Sequence, residues 1–278
     1  MRIYCDGIFD LFHKGHLNHF KKIHELFNDP IHLIVGVISD NVSKNYKRLP
    51  IMNEQQRLKM VLSTKYVDEA FITDTLIIDE NFLNQHKIDK VVHAFADKSD
   101  KNKQDLFHEV PIKLGKFIEI DYNDGISTTN LINDYFTDDL EVNTNNNINF
   151  NQIISTLHIE KNDKIIEYGC GLGLLSIFFQ EYDYYGLESS AKSSYQLIRK
   201  MKNIVFNFDL MDNIFKNEYF DFVILNGLQN NLLNEIERIS KKGIYIININ
   251  DEEIVSKLNY IIIKSVYGDD KKDAYKIK

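Results

Sequence analysis

Residues 2 to 27 run through an expected strand, a histidine–glycine turn and an expected helix without a break, which is the opening of a parallel α/β unit. In YCDGIFDLFHKGH, residues 4 to 16, His13 and His16 flank Gly15 where the strand, Arg2 to Cys5, gives way to the helix, Leu17 to Phe27. Leu17, Phe20, Ile23 and Phe27 recur at roughly helical spacing, so one face is apolar and packs inward. The histidine turn then sits at a helix N-terminus, where free backbone N–H groups and the helix dipole favour phosphate. HxGH alone is too short to be informative. The flanking DGIFDLF narrows it.

With that flank, the segment resembles the signature of the cytidylyltransferases that make CDP-choline, CDP-ethanolamine and CDP-glycerol. LIVGVISD (Leu33 to Asp40) resembles that family's second strand, and NYKRLPIMNEQQRLKMV (Asn45 to Val61) its lysine loop and arginine-bearing helix. KYVDEA (Lys65 to Ala70) follows, and GISTTNLI (Gly125 to Ile132) resembles its second phosphate-binding turn. The resemblance covers residues 1 to 136. It implies a Rossmann-like, doubly wound α/β domain over residues 1–137 that uses CTP, with Mg2+ carried on the triphosphate, and a phosphorylated alcohol or amino alcohol such as phosphoethanolamine. It also implies a homodimer formed through this domain.

Transfer from a triphosphate leaves the protein mainly positioning and electrostatics to supply. His13 and His16 are the candidates to stabilise charge on the phosphoryl oxygens. Lys47 is a mobile positive charge and Arg57 a planar fork for phosphate. Ser127, Thr128 and Thr129 offer cap hydroxyls and N–H donors ahead of a short helical pattern, which reads equally as a plain N-cap without the family motif. By resemblance, Ile8, Phe9, Asp10, Gly15, His93, Gly125 and Ile126 join Ser127, Thr128 and Thr129 at the nucleotide. His19, His24, His32, His86, His108 and His158 match nothing and are expected to be structural or surface residues.

A different pattern occupies the second half. In DKIIEYGCGLGLLSIFF (Asp163 to Phe179) an apolar strand carrying Glu167 opens onto Gly169, Gly171 and Gly173 before an apolar stretch. Glycine turns after strands also serve packing alone, so the loop is weak evidence by itself. YYGLESS then reads as a strand ending in Glu188, about 20 residues beyond the glycines, where a carboxylate can accept both ribose hydroxyls. FDFVILNGLQNN and KKGIYIININ read as two further strands, separated by a helix from Leu232 to Ser240.

These residues resemble the class I methyltransferases that use S-adenosylmethionine, with NYIIIKSV and DAYKI as the closing antiparallel hairpin. By that resemblance Glu167, Gly169, Gly171, Gly173 and Glu188 hold the cofactor, and Asp209 meets the adenine or is a simple loop aspartate. The expected plan is a cytidylyltransferase domain at 1–137, an Asn-rich linker at 138–150 and a small, second Rossmann-like domain at 151–278. Methylation of a related headgroup is expected of the second domain. The alternative is a non-catalytic binding or regulatory module.

The chain of 278 residues carries a net charge of −8, with 17 basic against 21 acidic residues up to Asp138 and 16 against 20 after it. Neither half is a basic platform for nucleic acid. No apolar run approaches membrane-spanning length, and the start has no signal core, so no stable membrane insertion and a soluble cytoplasmic enzyme are expected. The two cysteines, Cys5 and Cys170, fall in different halves, and no ligand spacing in the sequence suggests a metal site.

The motif register departs from the choline-type enzymes at the headgroup. Leu76 stands where a tryptophan belongs, Phe107 where a tyrosine does, and Ala94 and Phe95 replace an acidic pair, while Tyr122 replaces an arginine ahead of GIST. The chain has no tryptophan. A cage of aromatic faces for a trimethylammonium group is therefore depleted, which favours phosphoethanolamine or a similar small phosphate.

Overall fold

The computed structural model describes residues 1–95, 98–104, 106–122, 128, 150–171, 173, 175–201, 204–209, 212–226, 230–247, 261–265 and 268–278. The chain divides into two compact units, Met1–Asn130 and Leu131–Lys278. The Asn-rich segment expected as a linker lies outside the described residues except for Phe150.

In the first unit, five strands alternate with helices. They are β1 (Arg2–Gly7), α1 (Lys14–Glu25), β2 (His32–Ile38), α2 (Asp40–Tyr46), α3 (Glu54–Ser63), β3 (Glu69–Thr73), α4 (Glu80–Gln85), β4 (Lys90–His93), α5 (Lys98–Gln104), α6 (Glu109–Lys113) and β5 (Phe117–Glu119). All strand pairs are parallel, in the order β3-β2-β1-β4-β5. β2 is buried along nearly its whole length, as a strand covered on both faces must be, and its run of Leu33, Ile34, Val35 and Val37 supplies that core. Gly36 interrupts the run because a Cβ there would lie 2.1 Å from the hydroxyl oxygen of Tyr4 on the neighbouring strand. The sheet reverses direction of winding between β1 and β4, and ligands of such sheets bind beyond the carboxyl ends of the strands at that point.

The second unit holds α7 (Phe150–Leu157), β6 (Lys164–Tyr168), β7 (Asp183–Glu188), α8 (Ala191–Met201), β8 (Ile204–Asn207), β9 (Phe220–Asn226), α9 (Leu233–Ile239), β10 (Ser240–Ile247), β11 (Ile261–Ser265) and β12 (Gly268–Ile277). Its sheet runs β11-β12-β10-β9-β6-β7-β8, parallel throughout except that β12 is antiparallel to both β10 and β11. That is the expected methyltransferase-like sheet with its closing hairpin. Ile153 and Leu157 of α7 pack with Ile165, Phe222, Ile224 and Tyr245 from three strands. Here the winding reverses between β6 and β9. Gly169, immediately after β6, lies against Asn226 at the end of β9, with a φ of +73° that a side chain would strain.

Candidate active site

A cavity of about 240 Å³ opens beyond the carboxyl ends of β1 and β4. Its walls bring together residues distant in sequence: Ile8, Phe9, Asp10, His13, Gly15 and His16 from the first turn, Lys47 after α2, His93 at the end of β4, and Thr128. Gly125, Ile126, Ser127 and Thr129 lie outside the described residues.

The histidine turn is the first turn of α1, which begins at Lys14 rather than at Leu17. His13 is the N-cap. Its Nδ1 accepts from the Gly15 N–H at 3.1 Å, and its own N–H donates to Nδ1 of His16 at 3.3 Å, a reciprocal capping box made of two imidazoles. With both Nδ1 atoms accepting, each neutral ring carries its proton on Nε2. The rings stack with centroids 3.9 Å apart. Burial pushes the His13 pKa down to about 4, and burial followed by the neighbouring His13 and His19 holds His16 well below the ordinary histidine range. The histidine turn therefore presents neutral N–H donors at neutral pH.

The turn leading to these rings is strained. Phe9 and Leu11 adopt φ values of 54° and 48°, a left-handed backbone that large side chains rarely take. Two buried groups hold it. Asp10 accepts from the N–H groups of Ile51 and Met52, both at 3.0 Å, and pairs with Arg48 at 2.9 Å, while its carbonyl accepts from Thr128 Oγ1 at 3.1 Å.

Arg57 supplies the second clamp, and here the structure departs from the expected phosphate contact. Its side chain is fully buried behind the cavity wall. It donates to the carbonyls of Ile8, Ile38 (2.8 Å) and Met52 (3.0 Å) and to Asp40 Oδ1 at 2.7 Å. A guanidinium committed to four acceptors has no fork left for a substrate. Lys47 is instead exposed at the cavity and is the cation of the expected pair that faces it.

The second unit presents its glycine turn between β6 and β7. Gly169, Gly171 and Gly173 all have positive φ, and the space that a Cβ would occupy at Gly171 is open. Glu188 ends β7 with Oε2 accepting from the Gly171 N–H and Oε1 from the Ser190 N–H, both at 2.8 Å. Asp209 is exposed beyond the end of β8. Glu167, expected at the cofactor, is buried. It is 1% exposed, accepts from the Tyr184 hydroxyl at 2.5 Å, and burial raises its pKa to about 8.

Residues 4–134 match the family model described as cytidylyltransferase-like. The human choline-phosphate cytidylyltransferase A is 36% identical over 132 residues, which cover 48% of this chain and 35% of that protein. The ethanolamine-phosphate cytidylyltransferase of Dictyostelium discoideum is 35% identical over 132 residues, covering 48% and 36%. The first domain is cytidylyltransferase-like. The match spans about a third of these relatives' own length. Over the second unit the chain is similar to a SAM-dependent methyltransferase from Aquifex aeolicus, at 10% identity and a TM-score of 0.38, covering 47% of this chain and 90% of that one. The methyltransferase-like character of that unit rests on its own sheet order.

In the cytidylyltransferase-like domain the far end of the cavity is lined by Tyr46, Leu76, Ala94 and Phe107, with Asp6, Asp100 and His108. Tyr46 and Phe107 meet edge to face at 5.7 Å. The sequence singles out Phe95 and Phe107 as the remaining rings, but Phe95 packs against His93, His108 and Phe117, and Tyr46 takes the place at the cavity. His108, expected to be incidental, is buried and lines the cavity as well. Tyr46 sits beside Lys47 in the lysine-loop stretch, where the cation draws the reading, and His108 comes from a stretch without family motif residues, so no local pattern marks it. Among the described residues no helix is long and apolar enough to cross a membrane.

Proposed function

We propose that the N-terminal domain, residues 1–137, transfers CMP from CTP to a small phosphorylated amino alcohol and releases pyrophosphate. The observation that carries this reading is the histidine capping box at the sheet's switch point. It fixes two neutral Nε2–H donors on the wall of a cavity that Lys47 also lines. An oxygen of the acceptor phosphate attacks the α-phosphorus in line, one P–O bond forms, and the bond to the β-phosphate oxygen breaks with pyrophosphate leaving. His13 and His16 donate to oxygens on which charge accumulates. Lys47 neutralises phosphate charge, and Thr128 with Gly125 to Thr129 grips the triphosphate. Ile8, Phe9, Asp10, Gly15 and His93 shape the nucleotide site. Arg57 acts through Ile8, as a positioning residue.

Mg2+ arrives as part of the CTP substrate. The Asp10 carboxylate is already occupied by Ile51, Met52 and Arg48 and is not offered as its ligand. The Asp100 carboxylate with Tyr46 and Phe107 suits a compact ammonium with N–H donors, so phosphoethanolamine is the preferred acceptor. Screening phosphorylated headgroups with CTP, read as pyrophosphate release, tests this; no release with any of them refutes it.

For residues 151–278, after a linker at 138–150, we propose S-adenosylmethionine binding and methylation of a related headgroup. The open space at Gly171 and the Glu188 carboxylate beside it fit the cofactor: a carboxylate at the end of this strand is a type of acceptor that ribose hydroxyls use. Bound there, it supplies an electrophilic methyl group. The burial of Glu167 favours a second reading, a binding module without transfer. Isothermal titration with S-adenosylmethionine and S-adenosylhomocysteine tests the first step, and no heat with either overturns cofactor binding.

A further inference from the structure

We infer that Asp6, His93 and His108 form a binding site for one divalent transition-metal ion, of the zinc or cobalt class, at the headgroup end of the cavity. One ligand atom from each residue lies within 4.8 Å of the other two, although the three are spread over 103 sequence positions. The sheet brings them together. Asp6 is near the end of β1 and His93 ends β4, its direct neighbour, while His108 precedes α6.

The internal geometry is that of ligands rather than of a hydrogen-bonded cluster. His93 Nδ1 and Asp6 Oδ1 stand 3.6 Å apart, too far for a good hydrogen bond. Two ligands at 2.0–2.2 Å from a tetrahedral ion are separated by roughly 3.4 Å, so that pair is already spaced for one. The imidazole centroids of His93 and His108 are 4.6 Å apart. A closure of at most about 1.4 Å, from 4.8 Å to the roughly 3.4 Å above, brings the widest pair to coordination distance.

The groups behind these ligands are set as they are in metal sites, where hydrogen bonds from the outer shell fix ligand orientation. His108 Nδ1 is 3.3 Å from the carbonyl of Gln104, which can only accept, so Nδ1 carries the proton and Nε2 the lone pair. His108 occupies the N-cap of α6 without using its side chain as a cap. The Tyr4 hydroxyl lies close to Asp6, and Gly36 leaves the room that this hydroxyl needs. All three ligand residues line the cavity, so a bound ion keeps open positions toward it. Two imidazoles and one carboxylate favour zinc, cobalt or nickel over Mg2+, which takes oxygen ligands. The site is thus distinct from the magnesium that travels with CTP, and its existence does not rest on the CTP reading.

The test is titration of the tag-free, chelator-stripped full-length chain with Zn2+, and with Co2+ followed by visible absorption. One ion per chain is expected, with His108→Phe and Asp6→Asn each weakening it by roughly tenfold or more. Phenylalanine keeps the ring that packs on Phe95 and Phe117 while removing both nitrogens. Circular dichroism verifies that each variant is folded, and the Co2+ spectrum of the unaltered chain stands without any variant. Absence of stoichiometric binding to the unaltered chain overturns the site. So does binding that survives His108→Phe but is lost in His13→Ala, which would assign the ion to the histidine turn.

Discussion

Arg57 on α3 donates a hydrogen bond to the carbonyl of Ile8, 49 residues earlier, and so ties the strained histidine turn to the body of the sheet. Because the same guanidinium also holds Ile38, Met52 and Asp40, its removal leaves buried acceptors and a carboxylate unmatched. Arg57→Met is expected to cost about 3–5 kcal/mol, the range for breaking a buried ion pair. Amide hydrogen exchange on β1 and β2 measures this directly. Unchanged protection in the variant would return Arg57 to a direct substrate role.

His16→Ala is expected to lower kcat of cytidylyl transfer by roughly 100-fold or more, with a smaller effect on CTP binding, because the Nε2–H donor matters most when charge develops. Both kcat and the CTP affinity are to be measured, since His16 also accepts from the His13 N–H and its loss frees the cap. His16→Asn is the informative companion. An amide can keep the capping hydrogen bond, so low turnover in this variant with intact CTP binding isolates the donor from the cap.

Opposite pH trends are expected for the two units. The folded pKa values of His13 and His19 are lowered to about 4, chiefly by burial, from an ordinary 6.5. The unfolded chain then binds more protons between those values, so the first unit is fully stable above about pH 6.5 and loses stability as pH falls toward 4. Glu167 is shifted the other way, to about 8. Its contribution is present below the unfolded value near 4.5 and lost as pH rises through 8. Hydrogen exchange should therefore quicken in β1 at acid pH and in β6 and β7 above pH 8, and Glu167→Gln should flatten the alkaline limb alone.

Local signals in the sequence carried most of this architecture. The histidine turn and the GxGxG turn each lie between a strand and the segment that follows it, so their periodicity and glycines are readable within a few residues. Helix α9, expected at Leu232 to Ser240, spans Leu233–Ile239, and the strand expected from Tyr184 to end at Glu188 spans Asp183–Glu188. Burial was not readable in this way. Arg57 and Glu167 are charged residues beside motif positions, and only tertiary packing decides that one becomes a clamp and the other a neutral acid bonded to Tyr184. His108 had no signal at all, because its neighbours Asp6 and His93 reach it through strand order rather than sequence spacing.

Headgroup choice follows from the far wall of the cavity. A trimethylammonium group has no strong donors and depends on ring faces, each well-placed cation–π contact contributing about 0.5–2 kcal/mol. Tyr46 and Phe107 supply two rings arranged edge to face, whereas Leu76 and Ala94 supply neither a ring nor a charge, and Phe95 is taken up by His93 and His108. A primary ammonium gains more from the same wall, since its N–H donors can meet Asp100 and Gln104. Phosphoethanolamine is accordingly expected to exceed phosphocholine in kcat/KM by roughly tenfold, which corresponds to about 1.4 kcal/mol. The comparison is made on the full chain with saturating CTP, and Asp100→Asn should narrow the ratio while Leu76→Trp should raise phosphocholine selectively. A tenfold preference for phosphocholine in the unaltered chain would mean that the Tyr46–Phe107 pair alone suffices as a cage.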